Sequence, residues 1–316
     1  MGRIIDRRPS PAFESLGGDS RLGAGTDNTR LTLSALEGPA CLHDGGVVFG
    51  GTPRAQWAQW FKPDSDNLVE LAGRVLLVQG RGKNTLVVAG SEALLAPPPL
   101  MGHGQERVPR GLLGSLAQVG LGEEDIHAVV LAHLRVGPSA QRLATAQQGS
   151  VPRILFPRAR YIVCKRQWRR ARHPHPGDRA SFLPQVLAQL ESSNRLDLLD
   201  DATSDFLGSD WCFHFSDGYT PGQLHPEIAM PGGPVLFAGD LVPARHWLQL
   251  PLTTGYDRNP ELLIEEKERL LDYAVAKGCR LFFAHDPQIA CASVMRDRQS
   301  QYVLHGCSPS LSGIAR

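Results

Sequence analysis

Three apolar runs in this chain stop at residues able to do chemistry. Residues 126–131 lead into Ala132-His133, residues 235–238 into Gly239-Asp240, and residues 281–284 into His285-Asp286. Histidine changes charge near neutral pH and is a common metal ligand. A carboxylate at the end of an apolar strand needs a partner if it is buried. The plainest reading of His133 and His285 is that of neutral, hydrogen-bonded histidines at strand ends. His173-Pro174-His175 has the look of a metal tract but lies in a Pro-, Gly- and Arg-rich loop, where it reads as solvated surface. No Gly-x-Ser-x-Gly elbow, phosphate-binding glycine loop or dinucleotide fingerprint stands in a strand-to-helix context. Ser139 is the one hydroxyl near His133 that could act as a nucleophile, and nothing in the sequence aims a base at it.

The elements that must position these residues alternate between strands and helices. Leu31, Leu33 and Leu36 have the spacing of a strand, and Gly45-Gly46 precedes a strand-like run Val47-Val48-Phe49. Residues 74–79 and 85–88 flank Gly80-Arg81-Gly82-Lys83-Asn84, the pattern of a β-hairpin. Strands are expected again at 126–131, 160–163, 235–238 and 281–284. Helical spacing marks 110–119, 182–190 and, most clearly, 261–276 with Gly278 as its stop. Pro97, Pro98 and Pro99 interrupt the chain. Strand-then-helix order with polar residues beyond strand ends predicts a layered α/β protein with its site at those ends.

The 316 residues are 42% hydrophobic and 21% charged, enough to bury a sizeable core. With 33 basic and 32 acidic side chains the formal net charge is +1, so no global field favours nucleic acid or an anionic membrane. The basic run 165–172 accordingly reads as a solvated helix face. Six cysteines without CxxC spacing read as reduced thiols, and no apolar leader or membrane-length run is present, so a cytoplasmic location is expected. Residues 1–30, rich in Gly, Ser, Asp and Arg, are expected to form a flexible N-terminal arm, and 31–316 a single domain.

From Gly45 to Pro287 the chain resembles the metallo-β-lactamase superfamily, specifically its lactonase-like metallohydrolases. The resemblance is carried by Phe49-Gly50-Gly51-Thr52-Pro53-Arg54-Ala55-Gln56-Trp57, the strand into Ala132-His133, Phe156-Pro157-Arg158-Ala159-Arg160-Tyr161, Thr220-Pro221-Gly222, Gly239-Asp240, Gly255-Tyr256-Asp257 and His285-Asp286-Pro287. It implies an αββα sandwich, two mixed sheets flanked by helices. It also implies two metals, commonly zinc, held by a His-x-His-x-Asp-His loop, a His before Thr-Pro-Gly, a bridging Asp and a last His. Here the loop reads His133-Leu134-Arg135-Val136-Gly137-Pro138, Tyr219 stands before Thr-Pro-Gly, and the family's strand-ending Asp-Thr-Gly is replaced at Val88-Ala89-Gly90. The resemblance leaves His133, Asp240 and His285 as metal ligands. His133 belongs to one metal, His285 to the other, and Asp240 is shared.

No cofactor is expected, apart from one zinc at low occupancy. Arg135 introduces a permanent cation into the ligand loop, and an Arg135–Asp240 ion pair is expected in place of the metal charge. Three readings follow. The leading one is a pocket at the strand ends that binds a small molecule without metal, as a sensor, carrier or accessory protein. The second is a hydrolase of a lactone, ester or similar acyl group, using one residual metal, or Tyr219, Arg135 and Asp240 without metal. The third is an interaction subunit that uses the N-terminal arm.

Overall fold

A computed structural model describes residues 30–38, 40–95, 111–137, 153–312 and 314–315. The expectations for residues 1–29, for Pro97 to Pro99, and for Pro138 and Ser139 lie outside that set.

Two sheets face each other. The first contains β1 (Thr32–Glu37), β4 (Arg74–Gly80), β5 (Lys83–Val88), β6 (Ala128–Leu131), β7 (Arg160–Cys164), β8 (Leu196–Leu199) and β15 (Ile314–Ala315), in the order β15-β1-β4-β5-β6-β7-β8. Strands β5 to β8 run parallel, and β15, β1 and β4 complete the sheet antiparallel. The second contains β9 (Trp211–Ser216), β10 (Gln223–Ile228), β11 (Val235–Phe237), β12 (Arg280–Phe282), β13 (Cys291–Arg296) and β14 (Tyr302–Ser308), in sequential order, with β11 and β12 parallel. A small ribbon pairs β2 (Cys41–Asp44) with β3 (Leu68–Leu71).

The inner faces meet in a core of aliphatic and aromatic side chains, including Leu33, Leu76, Val87, Val130, Ile162, Phe213, Leu224, Phe237 and Phe282. The outer face of the first sheet is covered by α3 (Leu112–Gln118), α4 (Lys165–Arg172) and α5 (Pro184–Ser192). The outer face of the second is covered by α6 (Pro260–Lys277) and by the aromatic group around α2 (Arg54–Trp57). These are the four layers of the expected αββα sandwich. Strands such as β6, buried at all four positions, are apolar throughout because both faces are covered.

Local chemistry explains the elements that position the site. The β4–β5 hairpin closes through Arg81 (φ 52°) and Gly82 (φ 71°), the pair of positive angles that matches strand twist in a two-residue turn. In α6 the Asn259 side chain caps the first turn by accepting from the Leu262 N–H, Pro260 occupies the first turn, and Gly278 ends the helix. The run Val47-Val48-Phe49 departs from its strand-like reading: Asp44 caps a helical turn, α1 (Gly45–Val48), by accepting from the Val47 N–H. The basic face of α4 is charge-paired, with Lys165, Arg166, Arg170 and Arg172 on Asp200, Asp217, Asp178 and Glu191. All six cysteines are free thiols. Among the described residues no helix is long and apolar enough to cross a membrane.

Candidate functional site

The loop after β6 delivers His133 and Arg135. Backbone bonds from Ala132 to the Val88 carbonyl and from His133 to the Ala89 carbonyl carry it alongside the end of β5, and Ser91 Oγ donates to the Leu134 carbonyl. Asp240 follows β11 in a tight turn that begins at Gly239. That residue has φ 55°, and a Cβ there would lie 2.7 Å from Gln223 Nε2, so glycine alone turns the chain here without strain. His285 follows β12, and its backbone bonds Pro243 and Ala72. The next residue, Asp286, is fully buried and anchors this loop: its carboxylate accepts from the Arg245, Gln288 and Ile289 backbone N–H groups.

The three expected ligand residues do converge, but on one another. Arg135 donates its backbone N–H to His133 Nδ1 at 3.1 Å, which leaves the ring proton on Nε2. Nε2 in turn donates to Asp240 Oδ2 at 2.6 Å. His285 donates Nδ1–H to the Ala72 carbonyl at 2.8 Å, and its Nε2 lies 3.3 Å from Asp240 Oδ1. Burial would raise the Asp240 carboxyl, but the His285 charge and the hydrogen bonds from His133 and His285 outweigh it and hold it well below the usual carboxylate range. For His285, burial opposes the charged form and the Asp240 carboxylate outweighs it, raising the imidazolium above its ordinary value.

A metal-ligating histidine presents a lone pair to the ion and donates its other N–H outward. His285 has the right outward donor. His133 has the reverse arrangement, because an N–H rather than a carbonyl faces its Nδ1. The residues therefore do not fit a dinuclear centre, and among the described residues no group of three or more His, Cys, Asp or Glu is arranged to hold a metal ion.

The Arg135–Asp240 pair expected from the sequence is not formed. Arg135 Nη1 donates to the Tyr219 carbonyl at 3.2 Å and the Tyr256 carbonyl at 2.9 Å, and the guanidinium lies over the Tyr219 ring at 4.5 Å. Two imidazoles already occupy both oxygens of Asp240, and the carbonyls with the aromatic face draw Arg135 elsewhere. Tyr219 also packs on His133, with ring centroids 5.2 Å apart. Burial and the Asp240 charge push its phenol well above the usual value, so it stays protonated. Tyr219 thus fills space beside His133, and its phenol faces the same cavity.

That cavity, of about 100 Å³, brings together His133, Arg135, Tyr219, Asp240 and His285. It also contains His43, Glu92 and Tyr256, to which sequence reasoning gave no role. His43 Nδ1 is 3.1 Å from the Tyr256 hydroxyl, and burial with the nearby His285 charge pushes its pKa down to about 4, so the ring is neutral at neutral pH. Burial raises the Glu92 carboxyl and moves the Cys41 thiol up to about 11, leaving the latter a poor nucleophile. Tyr256 lies in the Gly255-Tyr256-Asp257 motif and was legible as a landmark. His43 and Glu92 stand alone among small and polar residues and gave no signal. His173 and His175 lie exposed, away from the cavity.

Residues 158–285 match the family model of the metallo-β-lactamase superfamily. Solved structures share the fold. One is described as a probable metal-dependent hydrolase from Staphylococcus aureus, 21% identical, with a TM-score of 0.70, covering 89% of this chain and 99% of that one. Another is AidC, described as a dizinc quorum-quenching lactonase, 18% identical, with a TM-score of 0.64, covering 89% of this chain and 95% of the other. A third is AbOPH, a hydrolase in the β-lactamase superfamily, 15% identical, with a TM-score of 0.65 over the same shares of the two chains. A search of curated proteins gives no match. Residues 158–285 thus match the metallo-β-lactamase superfamily model, and over 89% of its length the chain shares the fold of the metal-dependent hydrolase structure.

Proposed function

We propose that this chain is a metallo-β-lactamase-fold protein that has lost the dinuclear centre and uses the cavity at its strand ends to bind a small molecule, as a sensor, carrier or accessory protein. The observation that carries this reading is the orientation of His133. The Arg135 N–H on Nδ1 fixes the proton on Nε2, and that proton is given to Asp240, so the ring has no lone pair left for an ion. A wall holding a neutral His43, protonated Tyr219 and Tyr256 phenols, and a guanidinium offers hydrogen bonds for recognition. Elemental analysis of the chain purified without added metal tests this. Far less than one equivalent of zinc, iron or manganese is expected, and two equivalents per chain end the proposal.

A second reading is favoured by His285, whose Nδ1–H on the Ala72 carbonyl is the outward donor expected of a metal ligand. It is a hydrolase of a lactone, ester or similar acyl group with one metal on His133, Asp240 and His285. One tightly held equivalent that disappears in His285→Ala selects this reading over the first.

A further inference from the structure

Arg135 is a buried cation without a counter-charge among the described residues. The residue is 6% exposed, and among the described residues its guanidinium bonds the Tyr219 and Tyr256 carbonyls and lies over the face of the Tyr219 ring. Its Nε has no hydrogen-bond partner among the described residues. Among the described residues no carboxylate lies within ion-pairing distance of it. Asp240 has both oxygens on histidines. Glu92, the other carboxyl at the cavity wall, is held toward its neutral form by burial. Arg74, the second guanidinium at this cavity, is different, since the Asp286 carboxylate lies beside it and Arg74 donates to the Asp286 carbonyl. Carbonyl dipoles and an aromatic face orient a guanidinium, but they do not neutralise it.

A buried charge without a partner is costly, and a ligand carrying the opposite charge removes that cost on binding. The guanidinium fork matches the two oxygens of a carboxylate. The apolar part of the wall is formed by Val48, Leu71, Val75, Val88, Val136 and Trp247. A cavity of about 100 Å³ suits a short chain rather than a bulky body. We propose that the cavity binds a small carboxylate with a short alkyl chain, its carboxylate on the Arg135 guanidinium and its chain against the valines and Trp247. This rests on the metal-free reading above and gives its ligand a chemical class. Arg135 then provides, without metal, the positive charge that recognises the ligand.

Calorimetric titration of the full chain tests the proposal, after chelation and with metal content measured. The probes are hexanoate and hexanamide, which share a chain and differ in charge. Hexanoate is expected to bind at least ten-fold more tightly than hexanamide, and Arg135→Gln to abolish that preference. Equal binding of the two probes, a preference that survives in folded Arg135→Gln, or no binding of hexanoate overturns it. If Arg135→Gln does not fold, a crystal structure of the wild-type chain with hexanoate decides, through whether the carboxylate lies within hydrogen-bonding distance of the guanidinium or elsewhere. The two readings fail separately. Equal binding by the metal-free chain removes the carboxylate and keeps the pocket, whereas hexanoate binding that appears only with added zinc removes the metal-free reading as well.

Discussion

At the scale of single residues, the account rests on which atoms face which. Asp240 is shared by two imidazoles, and His133 reaches it through a 2.6 Å bond from a ring whose other nitrogen is held by the backbone. Removing the carboxylate charge strands a buried cationic partner, so Asp240→Asn is expected to cost on the order of 3 kcal/mol in urea unfolding. Combined with His133→Gln, the loss should fall short of the sum of the single losses by about 1 kcal/mol or more, the mark of direct contact. Arg135→Ala with Asp240→Asn should come much closer to additivity, since the guanidinium does not touch that carboxylate. Coupling that is stronger for the arginine than for the histidine would show the pairs reversed. The sequence singled out His133, Arg135, Tyr219, Asp240 and His285, which the structure brings to one cavity. It paired them wrongly because direction is a tertiary property: the Tyr219 and Tyr256 carbonyls that capture Arg135 are backbone groups far along the chain, with no signature in residue type.

At the scale of elements, helix α6 braces the loops around the cavity. Lys267, fully buried, donates to the Gln249, Leu250 and Leu252 carbonyls on the segment leading to Thr254 and Tyr256. Lys267→Met leaves those carbonyls unpaired and is expected to destabilise the chain by about 2 kcal/mol, read as a lowered urea midpoint. An unchanged midpoint would show that the segment holds itself. Glu266, 1% exposed, accepts from the Asp217 and Gly218 N–H groups just before Tyr219. Burial raises its pKa to about 7, against the pull of those two bonds. The folded state therefore binds this proton more tightly than the unfolded chain. The resulting stabilisation is present in acid and is lost as pH rises through about 7. Relative to wild type, Glu266→Gln should gain about 2 to 3 kcal/mol in stability between pH 5 and pH 7.5, measured by urea unfolding at both. A difference that does not change with pH would place the wild-type carboxylate in its ionised form throughout. The helix itself was plain in the sequence, from its apolar spacing and Gly278. Its role was not, because a buried Glu and Lys next to each other on a helix look the same in sequence as an exposed pair.

At the scale of the molecule, the sandwich follows from patterning that the sequence displays openly. Runs such as residues 128–131, apolar at every position, require cover on both faces, and the hairpin at Arg81-Gly82 fixes where the first sheet turns. The departure at Val47 to Phe49 came from Asp44, whose cap on the Val47 N–H makes a helical turn of an apolar run that reads as a strand. Residues 1–29 have a composition that cannot supply a core, and deleting them is expected to leave the melting temperature within a few degrees; an insoluble truncated chain would show that they pack. Whether the whole site takes up metal is read by anomalous diffraction at the zinc edge from crystals of the full chain grown with millimolar zinc. His133 Nε2 is expected to stay at hydrogen-bonding distance from Asp240, with no anomalous peak among His133, Asp240 and His285. Two peaks about 3.5–4 Å apart, bridged by Asp240, would contradict it.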